Sequence, residues 1–419
     1  MHRSRPLRLA SFVAIVAIAA GACSGGGSSP TATSQPTVAP SQPAASAPAS
    51  AAPSASAAAA SCEGATANEF FDQAVCEKQL AQRSATPTGP ADQPWIQAID
   101  PVMVDTTKYK KDGPYKICFT NAGVNNPWRV VGFNTMQHEV KLHPEITDFV
   151  HVDANGDDNK QISDLGDMVK SGNCSAIIVA PNSTKALTPA VEQACASNVP
   201  IIDFDRGVTT DCPVTFIHPI GGYAFGADAA EFLASAVKPG GNIIALRILP
   251  GVDVLETRYL AAEAIFKQKG LKIVKVAQTG GDAAKTKQIV SDAIDEFGTI
   301  DGVWMDAGAT SVAAAEAFED KGLPVPPITG EDQNDFLQAW KSKNWTADAP
   351  TYPTYQWRTA VIAAVDILQG KEVPKEWILP EPNITKDNLD QYISPDMPPL
   401  FYALCGCQKM PGFPDDWKK

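Results

Sequence analysis

Residues 175–206 read SAIIVAPNSTKALTPAVEQACASNVPIIDFDR, and their pattern decides the fold. Ser175–Ala180 is a short apolar run without polar alternation, as expected of a strand buried on both faces. Thr188-Pro189 then offers a capping residue followed by proline, a common opening of a helix. Pro200–Phe204 is a second buried run, and Asp205-Arg206 leaves it. Strand, helix, strand over about thirty residues is a βαβ unit, whose two strands lie parallel.

Working outward, the same alternation recurs. Strand-like runs stand at Tyr115–Phe119, Thr147–Val152, Val214–Ile217, Asn242–Ile248, Lys272–Ala277 and Gly302–Met305, with weaker ones at Pro327–Thr329 and Thr351–Tyr352. Asn126-Pro127 repeats the helix-opening device, and residues 228–237 and 283–297 carry apolar side chains three and four apart. Buried strands separated by helices specify an α/β fold with parallel sheets. About five units precede Pro219 and about five follow it, too many for one small sheet, so two are expected.

The start of the chain reads differently. Arg3, Arg5 and Arg8 precede an apolar run, Leu9–Ala20, that ends in Ala20-Gly21-Ala22-Cys23. This is a secretory signal and is too short for a spanning helix. The small residues before Cys23 look like a bacterial lipobox, in which the cysteine is acylated and becomes the new N-terminus; an ordinary signal peptide cut nearby, or an uncleaved anchor, is the alternative. Residues 24–61 are almost entirely Ser, Ala, Pro, Gly and Thr, a composition that buries too little apolar surface to fold and suits a tether. An irregular lead-in, 62–112, follows. The expected location is the extracytoplasmic face of the cell membrane, held there by lipid.

Composition narrows the partners. The 419 residues carry a net charge of −13, which argues against nucleic acid, whose phosphates demand Lys and Arg. Of nine cysteines, eight remain once Cys23 is acylated, and an even number in an exported chain favours disulfides. Cys62 and Cys76 form a local clasp in this reading. Cys174 precedes a strand and Cys195 ends the helix after it, which runs back toward the strand's start, so these two are expected to pair. Cys405-Gly406-Cys407 has no matching ligand pair for a metal and reads as disulfide-bonded.

In open parallel sheets, ligands sit beyond the carboxyl ends of the strands. Those positions here hold Asn125-Asn126-Pro127-Trp128-Arg129, Pro181-Asn182-Ser183, Asp205-Arg206, Asp306-Ala307 and Glu331-Asp332. Carboxylates, guanidinium groups, amides and an aromatic collect where a polyhydroxy ligand would use them. Structural roles compete: Trp128 as core, Asp205 and Arg206 as an ion pair, Arg258 as a solvated helix residue, Asp306 and Asp332 as helix caps. Enzymatic patterns are missing. Gly280-Gly281 followed by Lys285-Thr286 lacks phosphate-loop spacing, no Gly-x-Ser-x-Gly elbow occurs, and His138-Glu139 with His143 has one residue too many for a zinc helix. No cofactor, metal or catalytic residue is expected.

With these residues quoted, the chain resembles the substrate-binding proteins of sugar ABC transporters, of the ribose and galactose type (type I periplasmic binding proteins), over about Pro114 to Tyr392. The resemblance rests on Asn125-Asn126-Pro127-Trp128, Asp203-Phe204-Asp205-Arg206 and Tyr355-Gln356-Trp357-Arg358. It implies two Rossmann-like lobes joined by a multi-strand hinge: 113–219 with 354–385, and 220–353 with 386–419. It implies a ligand site of Asn126, Trp128, Asp205, Arg206, Arg258, Asp306 and Asp332. It further implies a monomer that takes a sugar-like small molecule by lobe closure and delivers it to a permease. A sensor feeding a membrane kinase or chemoreceptor would use the same closure. Arg129 replaces a second aromatic and Ala307 an asparagine; the Asp306-Ala307 pair is similar to binders of the autoinducer-2 sugar derivative. The lead-in and the tail after Tyr392 have no counterpart in the resemblance.

Overall fold

The computed structural model describes residues 61–418. The expectations for the signal segment, Cys23 and the tether up to residue 60 lie outside them. In the lead-in, Asp72 caps helix α1 (Gln73–Gln82) by accepting from the Val75 amide, and a Cys62–Cys76 disulfide clasps it, Cα to Cα 6.3 Å. Strand β1 (Met103–Val104) follows.

The first lobe then runs β2 (Tyr115–Asn121), α2 (Pro127–Lys141), β3 (Ile146–Asp153), α3 (Asp158–Ser171), β4 (Ala176–Ala180), α4 (Thr184–Cys195), β5 (Ile201–Phe204) and β6 (Thr215–Pro219). The second runs α5 (Gly222–Ala236), β7 (Asn242–Arg247), α6 (Asp253–Gln268), β8 (Lys272–Gln278), α7 (Ala283–Phe297), β9 (Gly302–Met305), α8 (Ser311–Asp320), β10 (Ile328–Thr329), α9 (Asn334–Lys343) and β11 (Ala347–Asp348). The chain then returns as α10 (Gln356–Leu368), β12 (Val373–Pro374) and β13 (Glu376–Leu379).

Two parallel sheets result, ordered β13-β6-β5-β4-β2-β3 and β11-β10-β9-β7-β8. β4 is buried at every residue, as its unbroken apolar run requires. On the first sheet the core is aromatic, with Trp357 of α10 at 5.9 Å from Phe119 and 5.2 Å from Phe204. In the second lobe α5 and α6 lie nearly in backbone contact: a Cβ on Gly226 would fall 2.0 Å from the Arg258 carbonyl oxygen. That approach seats Arg258. The strand order switches at β2 and at β7, so the crevices for a ligand open at their carboxyl ends.

Several local expectations are corrected. Thr188-Pro189 does not open a helix. Asp158 binds Asn182 Nδ2 (2.8 Å) and the Ser183 hydroxyl (2.9 Å), which fixes the start of α4 at Thr184 and leaves Pro189 inside. Thr351–Tyr352 is not a strand; the register with β10 is taken by Ala347–Asp348. The expected Cys174–Cys195 bond is replaced by Cys118–Cys174 and Cys195–Cys212, with Cα separations of 5.7 and 5.9 Å. The reason is lateral. Cys118 lies on β2, the sheet neighbour of β4, while α4 moves across to β5, so Cys195 arrives beside the segment leading into β6. Cys405 and Cys407 bond to each other.

The tail does not stay with the second lobe. Asn334 Nδ2 donates to the carbonyls of Ser394 (2.9 Å) and Met397 (3.0 Å), but Trp417 Nε1 donates to Thr135 Oγ1 of α2 (3.1 Å). The lead-in crosses as well. Arg83 pairs with Asp228 and Glu231 of α5, both at 2.7 Å, whereas the Ile99 amide donates to the Ile378 carbonyl of β13 (2.9 Å).

Candidate ligand-binding site

A cleft of about 630 Å³, partly open to solvent, lies between the carboxyl ends of the two sheets. From the first lobe it takes Asn126, Trp128, Arg129, Asp205 and Arg206. Asn126 caps α2, its side-chain oxygen accepting from the Arg129 amide (2.9 Å), so one short segment fixes three lining residues. Trp128 Nε1 donates to the Tyr352 carbonyl (2.6 Å), and its ring lies 5.7 Å from that of Tyr352. The indole is thereby anchored at its polar tip and half-buried.

Asp205 sits in the left-handed backbone region, φ 73°, a strained conformation of the kind found at functional sites. The turn continues through Gly207, φ 72°, where a Cβ would lie 2.4 Å from the Phe216 ring. The turned carboxylate meets Arg129, not Arg206: Arg129 Nη2 to Asp205 Oδ2 is 2.5 Å, and Arg129 Nη1 donates to Asn121 Oδ1 (3.1 Å). The expectation that Asp205 holds Arg206 is thus corrected. Arg206 instead donates to the Asn182 carbonyl, and burial, together with the adjacent Arg129 charge, pushes its guanidinium down to about 10. Asp203 lies beneath, accepting from the Val208 amide (2.9 Å), and burial raises its carboxyl well above the usual range.

The second lobe contributes Arg258 from α6. Its guanidinium stacks 3.7 Å from the Phe225 ring centre and donates to Glu331 Oε1 (3.0 Å) and to the Asp306 carbonyl. Two expected ligand residues are not in the lining. Asp306 turns under the cleft, where its Oδ1 accepts from the Ile248 amide (2.8 Å) and burial pushes it up to about 7. Asp332 faces the tail, its Oδ2 accepting from the Leu404 amide (2.7 Å), and burial pushes it to about 7 too. Their neighbours Ala307 and Glu331 take the lining positions, because successive side chains leaving a strand point to opposite sides. Neither aspartate caps a helix; the N-cap positions of α8 and α9 are Thr310 and Gln333.

Four charged or hydroxyl-bearing lining residues were missing from the expected set. Arg129 and Glu331 stand among the residues leaving the strands but were not chosen, Arg129 being a departure from the resemblance and Glu331 standing beside Asp332. Tyr352, whose hydroxyl donates to the Asp205 carbonyl (3.3 Å), lies in the connection misread as a strand. Tyr402 comes from the tail and reaches Glu331 Oε2 at 3.3 Å; nothing local announced it. Arg358, quoted in the resemblance, is elsewhere: it pairs with Glu139 (2.6 Å) over the Trp95 ring.

Residues 117–372, more than half of the chain, match the periplasmic binding protein domain. The protein belongs to that family. Among its relatives, the ribose import binding protein RbsB of Bacillus subtilis is 27% identical over 252 residues, covering 60% of this chain and 81% of the relative. The xylitol-binding protein of Mycolicibacterium smegmatis is 25% identical over 240 residues, covering 57% and 68%. Among solved structures, an ABC transporter solute binding protein of Thermobispora bispora superposes with a TM-score of 0.62 at 24% identity, covering 69% of this chain and 90% of that one. One of Bacillus halodurans with bound myo-inositol gives 0.62 at 21%, covering 67% and 98%. Both place the two-lobe, parallel-sheet architecture in this family's fold.

Proposed function

We propose that this periplasmic binding protein captures a sugar or sugar-like polyol between its lobes and delivers it to the permease of an ABC importer. The cleft carries the reading: charged groups and an indole from the first lobe face an arginine and a glutamate from the second. A sugar presents hydroxyls to the charges, each charge-assisted bond contributing about 1.5–3 kcal/mol net, and an apolar ring face to Trp128. Closure of two lobes on a ligand is the hinge motion of such proteins and changes the surface offered to a partner. A curated relative named for ribose import and another named for xylitol support the ligand class. The reading includes attachment through an acylated Cys23 and the 24–61 tether, which would hold the binding lobes at the outer face of the membrane.

A thermal-shift screen with D-ribose, xylitol, myo-inositol, D-allose and D-arabinose tests it. A ligand at one hundred times its Kd stabilises by about 2.7 kcal/mol, a rise of several degrees in Tm. No shift with any of the five, or with a wider set of pentoses, hexoses and polyols, would remove the sugar-binding reading. For the anchor, Cys23→Ala is expected to move the protein from membranes to the soluble fraction.

A further inference from the structure

The two sides of the cleft are lined unevenly. Beside Arg258 and Glu331, the second lobe lines it with Ile248, Leu249, Val252, Leu255, Ala307 and Ala309. Some backbone groups of this wall are engaged internally. The Ile248 amide donates to Asp306 Oδ1 (2.8 Å), the Gly251 amide to Glu256 Oε1 (2.8 Å), and the Leu255 and Glu256 amides to the Val252 carbonyl (both 2.9 Å). Arg258 and Glu331 bind each other at 3.0 Å, and Glu331 also takes the Tyr402 hydroxyl. Across the cleft, one cation is not ion-paired. Arg206 is held by oxygens of Asn182 and forms no ion pair among the described residues, so its remaining donors face the opening. Asn126 and Asp205 stand beside it.

A hydroxyl turned toward the side chains of Ile248, Val252 and Ala307 meets carbon and loses its water without replacement, whereas a methyl or methylene group there loses nothing. Resting on the sugar-binding reading, we propose that the ligand is a sugar or polyol with a deoxygenated edge. Its hydroxyls lie toward Asn126, Asp205 and Arg206, and its carbon edge lies against Ile248, Val252 and Ala307.

The test is calorimetric titration of the mature chain with sugars that differ by one hydroxyl: D-galactose with D-fucose, L-mannose with L-rhamnose, and D-ribose with 2-deoxy-D-ribose. In a pair that binds, the deoxy member is expected to be tighter by about ten- to a hundredfold, the discrimination a hydroxyl against an apolar wall provides. Val252→Thr gives the wall a hydroxyl without changing its shape. Val252 occupies the N-cap position of α6 in extended conformation, where Thr is better suited than Val, so the fold is expected to hold. The variant should narrow the deoxy preference about tenfold or more.

Equal or tighter binding of the hydroxylated members, or an unchanged preference in a folded Val252→Thr protein, overturns the inference. So does binding of D-ribose, xylitol or myo-inositol with none by the three deoxy sugars; in each of these cases the sugar-binding reading stands. If no compound of either panel binds, that reading fails and takes the inference with it.

Discussion

Arg129 and Arg206 stand on opposite sides of the same strained turn and have different work. Arg129 is 3% exposed and bonded to Asp205 and Asn121. Removing it leaves a buried carboxylate without its partner, so Arg129→Ala is expected to destabilise the fold by about 3–5 kcal/mol, read by urea unfolding. Arg206 is half-buried, holds only oxygens of Asn182 and faces the cleft. Arg206→Ala should leave circular dichroism and Tm near those of the wild type while weakening the sugar found in the screen by about 2–5 kcal/mol, or thirtyfold to several thousandfold. Near-normal affinity in folded Arg206→Ala would move the guanidinium out of the site. At the same scale, Glu381 is half-buried after β13, one oxygen accepting from the Gly221 amide, and burial pushes its carboxyl up to about 8. A carboxyl raised on folding contributes stability that is complete below its unfolded value and is lost as pH rises through about 8. Glu381→Gln keeps the acceptor and removes the titration. Unfolding free energies at pH 5 and pH 8 are expected to fall less in the variant than in the wild type.

The elements behave as units tied at their ends. α2 is positioned by the Asn126 cap, and its first turn delivers Trp128 and Arg129 to the cleft in one step. β2 is tied to the start of β4 by Cys118–Cys174, and the end of α4 to the segment leading into β6 by Cys195–Cys212. The first bond closes a separation of 56 residues and the second one of 17. In the chain-entropy account these contribute about 4 and about 3 kcal/mol. Non-reducing peptide mapping is expected to find these two pairings and not Cys174 with Cys195. The double variant Cys118→Ala, Cys174→Ala should lose more stability than Cys195→Ala, Cys212→Ala.

For the molecule as a whole, the lead-in and the tail are part of the binding body rather than appendages. Both cross from the second lobe to the first, and they meet where the Trp95 ring lies against Gly406 and Lys409 pairs with Asp92 (3.1 Å). The tail also supplies Tyr402 to the cleft. Trp417, 5% exposed, closes the far end by stacking 4.2 Å from His138 and bonding Thr135. Trp417→Ala is expected to cost about 3 kcal/mol, measured by urea unfolding, although the residue lies at the chain's end. A loss within a few tenths of a kcal/mol would show the tail's final turn to be loosely held.

By itself the sequence determined the alternation of buried strands and helices, the split into two parallel sheets, and the strand ends from which Asn126, Trp128, Asp205 and Arg206 reach the cleft. Each of these is written in local spacing: apolar runs for strands buried on both faces, an Asn-Pro cap, and polar residues immediately after a strand. Tertiary structure alone decided which groups meet. Asp205 pairs with Arg129 because a left-handed turn swings its carboxylate away from the adjacent Arg206. Cys118 rather than Cys195 meets Cys174 because β2 and β4 are neighbours in the sheet though not in the chain. Glu331 and Ala307 replace Asp332 and Asp306 because one step along an extended chain reverses the side chain's direction. Tyr402 reaches Glu331 across 71 residues, a separation over which no local pattern carries information.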